Sequence, residues 1–272
     1  MKKIAFYGKG GIGKSTTAAN VSAALSLAGH KVCQIGCDPK NDSTRLLLGH
    51  ICKETVLDKV RTNEMDDIKA DDLVHTGFNG ITCVEAGGPE PGVGCAGRGI
   101  IVALQLLDKL KAVPPVDLTL YDVLGDVVCG GFAMPIREGY ANHIYIVSSG
   151  ELMSLYAANN IAKGIKRFAS RGNVRLAGII GNSRNTPGEK DLLETFAQKL
   201  NTRLVAFIPR DKIVNLAENQ RQTVLQYAPD SAQSRIYKDL AETIWQNETL
   251  SIPTPLEFGE LESLVAAYGT EN

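Results

Sequence analysis

The sequence predicts an α/β protein with a mostly parallel sheet and helices on both of its faces. Short apolar runs alternate along the chain with longer segments whose apolar residues recur every three or four positions. Runs of the first kind are typical of strands buried on both sides, and segments of the second kind are typical of amphipathic helices. Their alternation indicates repeated strand–helix–strand units, which build parallel sheets.

The predicted elements cover most of the chain. The predicted strands are Ile4–Tyr7, Val32–Gly36, Ile81–Glu85, Leu118–Asp122, Ile144–Ser148, Leu176–Ile180 and Leu204–Ile208. The predicted helices are Ser15–Ala28, about 100–111, 151–171, 189–200, Ala232–Gln246 and Leu256–Tyr268. Since no repeat, low-complexity tract or linker interrupts the pattern, residues 1–272 are predicted to form a single domain, with residues 247–272 as a C-terminal extension.

The composition is ordinary for a globular protein and excludes some partners. Of the 272 residues, 44% are hydrophobic and 22% are charged, and the formal net charge is −1. No long basic run suggests nucleic acid as a partner. The first apolar run ends at Gly8, too early for a signal peptide, and no stretch approaches the roughly 18 apolar residues of a membrane span. We therefore expect a cytoplasmic protein without a membrane partner.

A glycine-rich motif follows the first predicted strand and precedes the first predicted helix. It reads Gly-Lys-Gly-Gly-Ile-Gly-Lys-Ser and matches the phosphate-loop pattern G-x-x-x-x-G-K-S. Glycines let backbone N–H groups close around phosphate oxygens, and the helix N-terminus adds partial positive charge. Lys14 is placed to reach the β- and γ-phosphates of ATP, and the Ser15 hydroxyl to ligate Mg²⁺. The predicted nucleotide contacts here are Gly8, Lys9, Gly10, Gly11, Ile12, Gly13, Lys14, Ser15 and Thr16.

Acidic residues follow two other predicted strands. Asp38 and Asp42 come after the second strand, and Asp122 and Asp126 lie at the end of the fourth. Ligands of open parallel sheets bind at the carboxyl ends of the strands, so these residues should face the nucleotide. We expect Asp122 to hold Mg²⁺ through water, Asp38 to orient the attacking water and Asp42 to act near the metal. The structural alternative is that Asp42 or Ser43 caps a helix.

Two of the six cysteines, Cys95 and Cys129, lie in glycine-rich segments that would leave a thiolate accessible. They are 34 residues apart, and the chain has no C-x-x-C pair. One chain cannot complete a four-cysteine site with them, whereas two chains around a two-fold axis would supply four thiolates. Spacing alone does not favour a shared cluster over two buried free cysteines. The other four, Cys33, Cys37, Cys52 and Cys83, are interpreted as buried or half-buried thiols.

Several segments together closely resemble the nitrogenase iron protein family. Besides the phosphate loop, they are Gly36–Lys40, Gly87–Gly99, Tyr121–Phe132 and Tyr156–Asn160. The resemblance runs from Met1 to about Tyr268. It implies a P-loop NTPase fold with the deviant Walker A sequence K-G-G-x-G-K-S, whose additional lysine, Lys9 here, reaches the nucleotide of the partner subunit. It also implies a homodimer in which Cys95 and Cys129 of both chains hold one 4Fe-4S cluster.

The resemblance further implies an ATP-dependent reductase component. It would pass one electron per encounter to a larger catalytic metalloprotein, with a low-potential ferredoxin or flavodoxin as its donor. Lys9, Asp38 and Asp126 match catalytic and switch positions of the family. Residues around the adenine would be Asn182, Pro209, Arg210 and Asp211. Arg98, which is ADP-ribosylated in some members, and Arg137 match the surface that docks on the catalytic partner.

Departures from the family pattern leave the identity of the partner open. Asn41, Ala86 and Gly181 stand where nitrogenase reductases commonly carry alanine, serine and cysteine, and Asn215 replaces a frequent glutamine. The partner could be nitrogenase, a methylthio-alkane reductase or a tetrapyrrole reductase.

A positioning-type switch ATPase is the second alternative. Such ATPases have no need of Cys95 and Cys129, and the last predicted helix carries three glutamates and no lysine or arginine for an anionic membrane. The third alternative is an ATPase that carries or assembles metal clusters. Such proteins normally have a C-x-x-C pair, which this sequence lacks.

Overall fold

One sheet organises the part of the chain that the computed structural model describes, namely residues 1–64, 67–88, 96–123, 125, 139–170 and 172–269. Its strands are β1 (Lys2–Tyr7), β2 (Val32–Cys37), β3 (His75–Thr76), β4 (Thr82–Glu85), β5 (Leu118–Val123), β6 (His143–Ser148), β7 (Arg175–Asn182) and β8 (Leu204–Ile208). Their order is β3-β4-β2-β5-β1-β6-β7-β8, and all neighbours are parallel except the antiparallel pair β3–β4. The mostly parallel α/β fold is confirmed.

Helices connect the strands and cover both faces of the sheet. They are α1 (Lys14–Leu27), α2 (Arg45–Leu48), α3 (Val56–Thr62), α4 (Ala96–Leu110), α5 (Leu152–Ala169), α6 (Glu189–Lys199), α7 (Lys212–Asn219), α8 (Val224–Tyr227), α9 (Ala232–Gln246) and α10 (Phe258–Gly269). Every predicted helix is present, with ends displaced by a few residues. In the described ranges, no helix is long and apolar enough to span a bilayer.

The elements that the sequence did not predict are short. Strand β3 has two residues, helices α2 and α8 have four each, and helices α3 and α7 have seven and eight, which is too few for a periodic pattern to be recognised. Helix α3 did carry a local signal. The Thr55 hydroxyl accepts a hydrogen bond from the Asp58 N–H, and the Asp58 carboxylate accepts one from the Thr55 N–H, which is the reciprocal capping box.

Two apolar layers lie on opposite faces of the sheet. In β1, Ile4 and Phe6 face one layer, which α1 and α9 complete, while Ala5 and Tyr7 face the other, which α4, α5 and α6 complete. Because both faces of the central strands are covered, those strands are continuous apolar runs rather than alternating ones. Residues that end the strands therefore leave the core together, at the carboxyl edge of the sheet.

The C-terminal segment joins the same core as α5 and α6. Ser251 pairs with Leu176 of β7, and Leu261 and Leu264 of α10 are buried. The buried amide of Asn159 in α5 donates to the Leu256 carbonyl at 2.7 Å and accepts from the Leu256 N–H at 2.8 Å. These two hydrogen bonds fix the backbone just before α10 begins. The assignment of residues 1–272 to one domain with an extension at 247–272 stays a prediction.

Asn159→Ala should lower the free energy of unfolding by about 2–4 kcal/mol, because it leaves a buried N–H and a buried C=O of Leu256 without partners. Urea denaturation followed by circular dichroism measures the change. The matched control is Asn160→Ala, since Asn160 is only half-buried on the same helix. Equal denaturation midpoints for the two variants would contradict this stabilising role of the Asn159 hydrogen bonds.

Candidate functional site

The phosphate loop joins β1 to α1 at the carboxyl edge of the sheet. Gly13 caps α1 with φ of 93°, and a Cβ there would lie 2.3 Å from Asn182 Nδ2. Only glycine combines that left-handed backbone with so close a neighbour. The Asn182 amide uses this proximity to donate to the Ile12 carbonyl at 2.6 Å, and the Arg184 guanidinium donates to the Gly11 carbonyl. The end of β7 thus holds the loop in place.

Lys14 lies in the first turn of α1 with only 7% of its surface exposed. Its ammonium group donates to the Lys9 carbonyl oxygen at 3.5 Å, so the charge stays within the loop rather than extending into solvent. A lysine held there, at the positive end of a 14-residue helix, is suited to bind phosphate oxygens. Lys9, the additional lysine of the motif, is half-buried.

Asp122 in β5 is buried next to this lysine. Burial raises the pKa of the Asp122 carboxyl, while the Lys14 charge and hydrogen bonds with Ser15 and Ser43 oppose the rise. Its Oδ2 atom has no hydrogen-bond partner among the residues that the structure describes. A buried carboxylate oxygen of this kind costs free energy unless a cation or a donor satisfies it. The residues present therefore fit Mg²⁺ beside a bound phosphate chain.

Residues 38–44, which we call the switch segment, follow β2. Asp38 and Asp42 are half-buried, and the Asp38 carboxylate accepts from the Lys40 N–H at 2.9 Å. The helix-capping alternative for Asp42 and Ser43 is wrong, since Thr44 occupies the N-cap of α2 and no side chain caps it. The strand that precedes these acids is paired with β5, which brings the switch segment to the same edge as Asp122.

Glu85 is a buried carboxyl group at this edge that the sequence did not single out. It ends β4 and is 1% exposed, and its Oε1 atom accepts from both the N–H and the hydroxyl of Thr44 at 2.7 Å. Burial raises the pKa of Glu85 to about 8; the Thr44 hydrogen bonds oppose the rise, and the charges of Asp122 and Asp42 add to it. The only sequence signal for Glu85 was its position as an acidic residue at the end of a predicted strand.

A cavity of about 210 Å³ lies beside the phosphate loop, between the ends of β7 and β8 and the helices α7 and α9. All four predicted adenine residues, Asn182, Pro209, Arg210 and Asp211, line it. Three further residues that line the cavity, Glu218, Gln233 and Tyr237, were not predicted from the sequence. Gln233 is 1% exposed and its Nε2 atom has no partner within the described ranges. Glu218 accepts a 2.6 Å hydrogen bond from Thr16, which links the cavity wall to α1.

The remaining predicted residues divide into two groups. Arg98 is exposed in the first turn of α4, a helix that starts from the carboxyl edge because it follows β4 and leads to β5. Cys95, Asp126, Cys129 and Arg137 lie outside the described residues. The other cysteines, Cys33, Cys37, Cys52 and Cys83, are all buried free thiols, as predicted.

The fold and the nucleotide edge define a P-loop ATPase. Similar solved structures include the septum site-determining protein MinD complexed with Mg-ADP from Pyrococcus horikoshii OT3, with a TM-score of 0.70 and 19% identity over 90% of this chain and 96% of that one. A ParA family ATPase from Chlorobium tepidum TLS has a TM-score of 0.68 and 20% identity over 89% and 99% of the two chains. At these identities the likeness concerns the fold alone.

The sequence narrows the class further. The model of the NifH/frxC family of 4Fe-4S iron sulfur cluster binding proteins matches residues 2–271. The nitrogenase iron protein of Methanospirillum hungatei JF-1 is 57% identical over 270 residues, which cover 98% of this chain and 96% of that protein. The chain belongs to the NifH/frxC family.

Membership in the family settles the general role. The chain is an ATP-driven oxidoreductase component of the nitrogenase-reductase type, which binds a 4Fe-4S cluster and uses MgATP. Members act as homodimers with a larger catalytic partner. Lys14 and the unpartnered oxygen of Asp122 fit the nucleotide and its metal, as described above.

Lys14→Ala should abolish ATP hydrolysis, because it removes the one buried cation that the described residues place inside the phosphate loop. Phosphate release measures the effect, and we expect a loss of at least about a hundredfold. The control is Lys163→Ala, which removes an exposed lysine from α5. Iron content should be the same in both variants. Wild-type turnover in the Lys14 variant would show that the loop is misassigned.

Proposed function

We propose that a homodimer of this chain delivers electrons one at a time from a shared 4Fe-4S cluster to a catalytic metalloprotein of the nitrogenase or nitrogenase-like type. The supporting observation is that the phosphate loop, Asp122 and the switch segment meet at one sheet edge in a member of this family. ATP is the substrate whose hydrolysis drives each cycle. A low-potential ferredoxin or flavodoxin in the cytoplasm is the proposed donor.

Each group at the nucleotide edge has a proposed role. The loop from Gly8 to Thr16 binds the phosphates with Lys14, while Ser15 and Asp122 hold Mg²⁺, Asp122 through water. Asp38 orients the attacking water, and Asp42 acts near the metal. Lys9 reaches the nucleotide of the partner subunit. These assignments agree with the burial of Lys14 and Asp122 and with the half-exposed positions of Lys9, Asp38 and Asp42.

The cavity beside the loop is the proposed adenine site. Asn182 already contacts the loop, so it can sense both the base and the phosphates. Pro209, Arg210 and Asp211 form one wall. Gln233 is buried next to Tyr237 in the cavity wall, and its amide N–H group suits an acceptor nitrogen of the purine ring.

Cys95 and Cys129 of both subunits are the proposed cluster ligands, and the cluster supplies one-electron transfer when bound. Asp122 and Cys129 are seven residues apart, so their Cα atoms are separated by at most about 25 Å. A displacement at the nucleotide can therefore reach the cluster ligand along a short covalent path that includes Asp126. This connection is the proposed coupling between hydrolysis and electron transfer.

Iron chelation in the absence of any catalytic partner tests this coupling. A chelator added to the reduced homodimer should remove iron at least about tenfold faster with MgATP than with MgADP or without nucleotide, because a ligand acts only through differential contacts with two conformations. The Lys14→Ala variant should show one slow rate throughout. Equal wild-type rates in all three conditions would contradict the proposal.

Arg98→Glu should stop electron delivery while leaving iron content and nucleotide affinity unchanged. Arg98 is three residues from Cys95 and exposed at the carboxyl edge, so charge reversal places a carboxylate where the partner should meet a cation. Partner reduction by stopped-flow spectroscopy measures the loss. Arg167→Glu is the control, since Arg167 is exposed in the last turn of α5, toward the amino edge of the sheet. Normal reduction by the Arg98 variant would remove this residue from the docking surface.

A further inference from the structure

The switch segment continues from β2 at its N-terminal end, and buried side-chain hydrogen bonds hold its C-terminal end against the sheet. Gln34 of β2 donates from Nε2 to the carbonyl oxygen of Ser43 at 2.9 Å and to its hydroxyl at 3.1 Å. Gln34 is itself oriented by the Ser22 hydroxyl, which donates to its Oε1 atom at 2.8 Å. Glu85 of β4 accepts two hydrogen bonds from Thr44. All of these side chains are buried.

Asp38 and Asp42, in the N-terminal part of the segment, are held less firmly. Both are only half-buried, and the one hydrogen bond recorded for their carboxylates within the described chain is the local bond from the Lys40 N–H. The segment therefore consists of a free part, residues 38–42, and a clamped part, Ser43 and Thr44. Asp38 and Asp42, which are proposed to act on the attacking water and near the metal, belong to the free part.

The backbone register explains how Glu85 can clamp Thr44 close to Asp122. Gly36 of β2 is paired with Glu85 on one side and with Asp122 on the other. A Cβ on Gly36 would lie 1.9 Å from Glu85 Oε2 and 2.7 Å from the Ser43 Cβ. The Glu85 carboxyl group thus lies over Gly36, in the space between its own strand and Asp122. Its Oε2 atom is buried there without a hydrogen-bond partner in the described ranges.

We infer that Glu85 is a positioning residue of the nucleotide switch, which fixes the end of the segment at Thr44 so that Asp38 and Asp42 can respond to the γ-phosphate. This inference rests on the function proposed above. A segment that is held at both ends, here by β2 and by the Thr44 hydrogen bonds, loses less conformational entropy when the part between them is ordered against a ligand. Release of the clamp should therefore weaken the binding of ATP and leave that of ADP, which lacks the γ-phosphate, unchanged.

Calorimetric affinities for MgADP and for a non-hydrolysable ATP analogue with Mg²⁺ test the inference in the intact homodimer. Glu85→Ala should reduce the preference for the ATP analogue by about tenfold, within the range of typical coupling between sites. Glu85→Gln should keep the wild-type preference, because the amide oxygen of glutamine can accept both hydrogen bonds from Thr44. Thr44→Val removes only the hydroxyl donor and should give an intermediate value. It also replaces Glu85→Ala if that variant does not fold.

The matched control is Asn159→Ala, which likewise removes a buried side chain with two hydrogen bonds to a single residue, far along the chain from the nucleotide edge. It should lower stability and leave the ratio of the two affinities unchanged. An equal loss of preference in this control would overturn the inference, as would an unchanged preference in both Glu85→Ala and Thr44→Val. A wild type that binds both nucleotides equally well would contradict the proposed function itself.

Discussion

The parallel pairing of β2 with both β4 and β5 is the constraint on which the nucleotide edge depends. It aligns Glu85, Gly36 and Asp122 at one level across three strands. Because the central residue has no side chain, the Glu85 carboxyl group can occupy the space above it. The same pairing delivers the switch segment, which starts where β2 ends. Neither the metal carboxylate nor the clamp would be in place if this register shifted by one residue.

The electrostatic balance of the edge follows from that arrangement. Two carboxyl groups, Asp122 and Glu85, are buried at this edge, and the buried ammonium group of Lys14 lies close enough to Asp122 to oppose the rise in its pKa. Burial raises the pKa of both acids, and the Asp122 charge adds to the rise at Glu85. A divalent cation relieves this excess of acidic groups, while Lys14 and the α1 N-terminus favour phosphates. MgATP supplies both partners, since its Mg²⁺ ion offsets the acidic groups and its phosphates bind Lys14 and the N-terminus of α1.

Local patterns made most of this molecule predictable. Apolar runs identified all the long strands, and the glycine-rich motif identified the loop, because both signals lie within a few consecutive residues. Glu85 escaped because it reads as the polar end of a strand, and its function depends on a register with residues about 40–50 positions earlier. Gln233 and Tyr237 escaped for the same reason, since a helix near the C-terminus brings them to the phosphate loop. Cys95 and Cys129 were assigned through resemblance, and their assignment stays a prediction.

The division of the switch segment also bears on the departure at Asn41. This residue has a φ of 55°, and asparagine adopts the left-handed conformation more readily than alanine does, by a margin of about 1 kcal/mol. Asn41 lies between Asp38 and Asp42, in the free part of the segment. The clamped residues Ser43 and Thr44 are tied to β2 and β4, so a change there would disturb the sheet. A substitution in the free part instead adjusts the conformations available to the two acids while the clamp remains intact.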